Sequence, residues 1–129
     1  MGVCGVDVHK ELMHVTCVDV LGSILAVAKE PRREDGLFRL AKLVESCNCR
    51  MLVMESTSYL WVWPYYRLKE LLRSVKFVLV NPFSTRAYGK KTDELNSDRI
   101  ARQALAGNVI RSNLPINFAS PEELIHALN

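Results

Sequence analysis

The chain has 129 residues, 49% of them apolar and 24% charged, the balance of a globular domain with its own core. Its net charge of +3 admits a nucleic-acid partner without demanding one. No apolar run approaches the roughly 20 residues of a membrane span, and no secretory leader precedes His9, Lys10 and Glu11, so the expected location is the cytoplasm, away from membranes.

Val3 to Val8 reads as a short strand interrupted by Asp7. "MHVTCVDV", Met13 to Val20, is β-branched and partly alternating, which predicts a second strand. Leu21-Gly22-Ser23 is a turn, and "ILAVAKE" is a third strand. Three sequential strands joined this way predict an antiparallel meander. From Glu34 the period changes: Leu37, Leu40, Ala41, Leu43 and Val44 recur at helical spacing behind two acids, Glu34 and Asp35. "RMLVME" is a continuous apolar run, typical of a strand covered on both faces.

"YLWVWPYYRLKELL" predicts a helix started or kinked near Pro64. Its Trp61, Trp63, Tyr65 and Tyr66 are expected in the core or an interface. "KFVLVN" is a further buried strand, closed by Asn81-Pro82. The last clear helix spans about Asp93 to Ala106, with Ser97, Ile100, Ala101, Ala104 and Leu105 on one stripe. These elements predict an α/β fold: a mixed sheet of about five strands, three in a meander and the rest parallel, with helices on both faces. "SPEEL" starts another helix, with Ser120 as cap, Pro121 at the first position and Glu123 closing a capping box. Residues 1–115 are therefore expected as the domain, and 116–129 as the start of a helix leading into a further C-terminal region.

The cysteines are Cys4, Cys17, Cys47 and Cys49. The last two form C-x-C, and no histidine or second pair supplies zinc-site spacing. Buried or half-buried reduced thiols are expected.

Three acids stand out. Asp7 interrupts an apolar strand, where a charge is costly unless paired or bound to a metal; an edge position facing solvent is the plainer alternative. Glu55 ends "MLVME", at the C-terminal end of a central strand, where open α/β sheets build their sites. Asp93 stands at the mouth of the last helix, where an ordinary cap would explain it equally well. If the fold brings these carboxylates together, they suit Mg²⁺ or Mn²⁺. His9 shares a strand face with Asp7. Lys90 and Lys91, with Arg86 and Arg99, make a basic patch suited to a phosphate backbone or simply to solvent.

"GVDVHKE", "MEST" and "GKKTDELNSDRIA", in that order, resemble the DEDD transposases, insertion-sequence recombinases related to the pilin-gene invertase Piv. The resemblance spans roughly Val3 to Ala106. It implies an RNase H-like, RuvC-like fold whose four acids bind divalent metal (Mg²⁺ or Mn²⁺) and cleave and transfer DNA strands. It implies Asp7, Glu55 and Asp93 as the first three acids. His9, Lys10, Arg86, Lys90, Lys91 and Arg99 are the expected nucleic-acid contacts. A structured guide RNA and a homo-oligomer, at least a dimer, are further implied. So is a second domain with a nucleophilic serine, without which full recombinase activity is not expected.

The family pattern is close to K-T-D-x-x-D-A. Here Asn96 stands where the fourth aspartate is expected, and Asp98 lies two residues beyond. At about 100° per residue, Asn96 falls about 60° from Asp93 and Asp98 about 140° away. Asn96 is therefore the better match in position, though it brings no charge; Asp98 completes the site only if the helix starts later than Asp93. The alternatives to a catalytic domain are a non-catalytic DNA- or guide-RNA-binding module with a degenerate acidic site, and a fragment of a sugar-kinase or actin-like ATPase. The second lacks a glycine-rich phosphate loop after Asp7.

Overall fold

The computed structural model describes residues 2–56, 58–80 and 96–105. Among them, five strands form one sheet: β1 (Gly2–Val8), β2 (Leu12–Asp19), β3 (Ile24–Pro31), β4 (Cys49–Glu55) and β5 (Lys76–Val80). The order across the sheet is β3-β2-β1-β4-β5. β1, β2 and β3 pair antiparallel as the predicted meander, and β4 joins β1 in parallel, followed by β5. β1 is thus central rather than an edge.

Among the described residues, three helices accompany the sheet: α1 (Glu34–Ser46), α2 (Val62–Leu71) and α3 (Asn96–Leu105). α1 begins with Glu34 and Asp35 in its first turn, where acids complement the helix dipole. α2 begins at Val62, so Pro64 falls in the first turn, where its missing N–H has no intrahelical partner to lose. The predicted start near Pro64 is observed, without a kink of the chain being needed.

Strand alternation sorts the side chains onto two faces. Cys4, Val6, Met13, Val15, Cys17, Leu52 and Met54 join Leu37 and Leu40 of α1 and Trp61, Tyr65 and Leu68 of α2 in the larger core. The aromatics are core residues, as expected; Trp63 and Tyr66 pack at its margin. On the opposite face Val3, Val18, Val53, Val78 and Val80 meet Ile100 and Ala101 of α3.

α3 approaches the sheet closely over Gly5. A Cβ there would stand 2.6 Å from the backbone nitrogen of Ala101, and nearer still to the carbonyl oxygen of Ser97. Only glycine allows a helix backbone this near a strand. At the other end of α3, Arg102 donates to the carbonyl of Gly22 at 2.7 Å. Gly22 has φ +85° in the β2–β3 turn.

The cysteines depart from expectation. Cys4 and Cys17 are joined as a disulfide, where reduced thiols are expected from the sequence. The cause is register: the two residues are directly opposite on β1 and β2, with Cα atoms 4.2 Å apart. Cys47 and Cys49 are free.

Candidate metal and nucleic-acid site

Asp7 is buried near the C-terminal end of β1, with 7% of its surface exposed. Val6 pairs with Met54 across the β1–β4 ladder, so Asp7 and Glu55 are the next residues on two neighbouring parallel strands. Glu55 is 6% exposed. Two carboxylates are thus held at one end of the sheet, on the α3 face, where uncompensated charge is costly.

Each carboxylate has a basic side chain against it. His9 Nε2 lies 2.8 Å from Asp7 Oδ2. The His9 ring centroid is 5.0 Å from that of His14, which pairs with Asp7 across β1–β2. Burial, then the charge of His9, hold the His14 imidazole below its usual pKa, against the pull of Asp7. Arg99 donates to Glu55 Oε2 at 3.5 Å. Its Nε is buried without a hydrogen-bond partner, so its guanidinium is only partly satisfied. Arg99, expected from the sequence to face a phosphate, is turned inward onto an acid.

Asp98 is tied to β2. Thr16 Oγ1 donates to Asp98 Oδ1 and lies 2.9 Å from Ser97 Oγ. Thr16 is opposite Gly5, so this polar seam runs where α3 crosses the sheet most closely. Asn96 opens α3; its side chain, with Asp93, Arg86, Lys90, Lys91 and residues 116–129, lies outside the described residues. Among the described residues, Asp7, Glu55 and Asp98 do not form a closed ligand set.

Exposed Lys10 borders an open cleft of about 480 Å³ together with Glu11, Leu12, Pro31, Arg32 and Arg33. Arg32 is fixed there by donating to the Leu60 carbonyl at 3.1 Å and by stacking over Trp63, 5.8 Å from the ring centroid. Three cationic side chains therefore line a cleft that begins in the β1–β2 loop.

The donor set fits a divalent cation. Buried carboxylate oxygens on neighbouring strand ends are hard anionic ligands of the kind Mg²⁺ and Mn²⁺ take. That a histidine and an arginine already stand against these acids shows that the site calls for positive charge. Sequence reasoning passed over His14, Thr16 and Gly5. The alternation of "MHVTCVDV" does put His14 and Thr16 on one face, but only the register puts that face over Asp7 and beneath α3.

Comparison with known proteins agrees with this architecture. The family model of the IS110-type DEDD transposases, described as "Transposase", matches residues 4–119. No curated protein matches significantly. Among solved structures, Thermus thermophilus RuvC aligns with TM-score 0.64 at 13% identity, covering 87% of this chain and 100% of that one. T. thermophilus RuvC bound to a Holliday junction substrate aligns with TM-score 0.56 at 13% identity, over 87% of this chain and 99% of that one. Fowlpox virus resolvase in complex with Holliday junction DNA gives TM-score 0.56 at 13% identity, over 81% of this chain and 99% of that one. The fold is the RuvC-like, RNase H-like one, an open mixed sheet with helices. No helix among the described residues is long and apolar enough to cross a membrane.

Proposed function

This chain belongs to the DEDD transposases of the IS110 type, a DNA-cleaving recombinase domain, and from that premise we propose that Asp7 and Glu55 are its core metal ligands. The observation that carries the reading is the pair of buried carboxylates on neighbouring parallel strand ends. Mg²⁺ or Mn²⁺ held there would supply Lewis-acid stabilisation of a phosphodiester oxygen and activation of the attacking nucleophile. Asp93 joins the set as third acid; Asn96 supplies a neutral oxygen at the fourth position, and Asp98 a charged one in its place should α3 turn.

The protein's own groups do the rest. His9, bonded to Asp7, orients that carboxylate and is placed to meet a phosphate. Arg99 neutralises Glu55 until a metal takes that role. Lys10, Arg32 and Arg33 line the approach of a DNA backbone; Arg86, Lys90 and Lys91, outside the described residues, are assigned as further phosphate contacts on their sequence pattern alone. DNA as substrate is supported by family membership and by the Holliday junctions bound to the RuvC and resolvase relatives in fold. A structured guide RNA, a homo-oligomeric assembly and a cytoplasmic setting belong to the same proposal through the family alone.

A second reading has its own observation: Asn96 removes one charge, and Arg99 rests on Glu55, as in a site that grips nucleic acid without cutting it. Calorimetric titration with Mn²⁺ and a cleavage assay on branched and duplex DNA separate the two. Weak single-site Mn²⁺ binding, lost in both Asp7→Asn and Glu55→Gln, is expected. Binding unchanged by both substitutions overturns the ligand assignment. Salt-sensitive DNA binding with no Mn²⁺-dependent cleavage selects the second reading.

A further inference from the structure

On the sheet face opposite the acids, three cysteines from three strands meet. Cys4 of β1, Cys17 of β2 and Cys49 of β4 bring their sulfurs within 4.8 Å of one another. They are 0%, 0% and 6% exposed. Cys49 Sγ stands 3.0 Å from Cys4 Sγ. The group includes no histidine or carboxylate, so its chemistry is that of sulfur alone.

We propose that the chain with its Cys4–Cys17 bond reduced is a binding site for one soft, thiophilic ion of the Cu(I) class, held by Cys4, Cys17 and Cys49. Three sulfurs in a plane around an ion, with bonds of about 2.3 Å, stand about 4.0 Å apart, within the span observed. Structural zinc takes four ligands, and this group offers three. Thiolates select soft ions, whereas Mg²⁺ and Mn²⁺ prefer oxygen, so the two faces of the sheet call for different metals.

The site is gated by redox state. Reduction of the Cys4–Cys17 bond by a phosphine or dithiol takes two electrons and two protons and yields two thiols. Loading then releases thiol protons to solvent and transfers no electron. Burial pushes the Cys49 thiol up to about 11, so without an ion it stays protonated and is a poor nucleophile toward the neighbouring disulfide. Cys47, two residues away and half-buried, stands outside the group and serves as an internal control.

The test is anaerobic titration of the reduced chain with Cu(I) against a chromophoric chelator, followed by X-ray absorption of the loaded protein. One Cu(I) per chain is expected to be withdrawn from the chelator, with a shell of three sulfurs. The oxidised wild-type chain should withdraw none, a comparison that needs no substitution. Cys17→Ala and Cys49→Ala should each lose the competition, with circular dichroism reporting whether the fold survives; Cys47→Ser should retain it. No Cu(I) taken up by the reduced chain, equal uptake by the oxidised chain, or uptake lost only in Cys47→Ser overturns the proposal.

Discussion

Toward α1 and α2 the sheet presents Val6, Val15, Leu52 and Met54, which fill space by volume. Toward α3 it presents Gly5 and Thr16, which let a helix backbone settle almost onto the strand. The difference explains where the charges lie. A face packed by interdigitating large apolar side chains offers no carboxylate and no solvated space for a hard cation. A face covered by a helix over small residues can end in a polar rim, and Asp7 and Glu55 occupy that rim. One strand, β1, serves both purposes through period-2 alternation: Cys4 and Val6 point one way, Gly5 and Asp7 the other.

The strongest way to break this contrast is to fill the α3 face. Gly5→Val drives a branched side chain into the Ser97 carbonyl and the Ala101 amide, backbone groups that cannot rotate aside. A loss above about 4 kcal/mol is expected in urea denaturation, together with loss of Mn²⁺ binding as α3 is displaced. Retained stability would mean that α3 does not depend on close approach.

Emptying the other face should have a different signature. Leu40→Ala leaves a cavity beneath α1, where Leu40 is fully buried, at a cost of about 2–5 kcal/mol. Mn²⁺ affinity in the folded fraction should be unchanged, because Asp7 and Glu55 lie on the opposite face of the sheet. A matching loss of Mn²⁺ affinity would couple the two faces.

The smallest effect sharpens the comparison rather than breaking it. Thr16→Val keeps the shape of the side chain and removes the hydroxyl that bridges Ser97 and Asp98. A loss of about 1–3 kcal/mol is expected from the unpaired groups, measured by thermal denaturation. It should also free Asp98. If Mn²⁺ then binds more tightly, and if Asp98→Ala in the same background reverses the gain, Asp98 is the fourth acid; no change in affinity leaves Asn96 in that place.

Much of this is legible in the sequence alone. Asp7 within an apolar run and Glu55 at the end of "MLVME" are visible because a charge in a buried strand is rare, and both prove buried. The meander is visible because its strands are local and its turn carries Gly22. Other features were hidden for one reason, sequence separation. Nothing near Gly5 announces a helix some ninety residues later. Thr16 reads as an ordinary β-branched residue until Ser97 and Asp98 come to rest on it. Cys4 and Cys49 are 45 positions apart, and the interval between cysteines says nothing about a parallel pairing reached through α1. Arg99 shows a related limit: its charge is plain in the sequence, but its contact with Glu55 depends on how α3 lies over the sheet.

The central position of β1 also sets an order of assembly. Its pairing with β2 closes a loop of three residues, His9 to Glu11, whereas β3 and α1 lie between it and β4 in the chain, and α3 bridges to Thr16 across 81 positions. Local contacts form early and distant ones late, so a chain emerging from its N-terminus completes the meander first. On this order Asp7 is expected to stay solvated until α3 docks. The desolvation of both acids is concentrated in the docking of α3, and that late step should be the one whose rate responds to divalent cation.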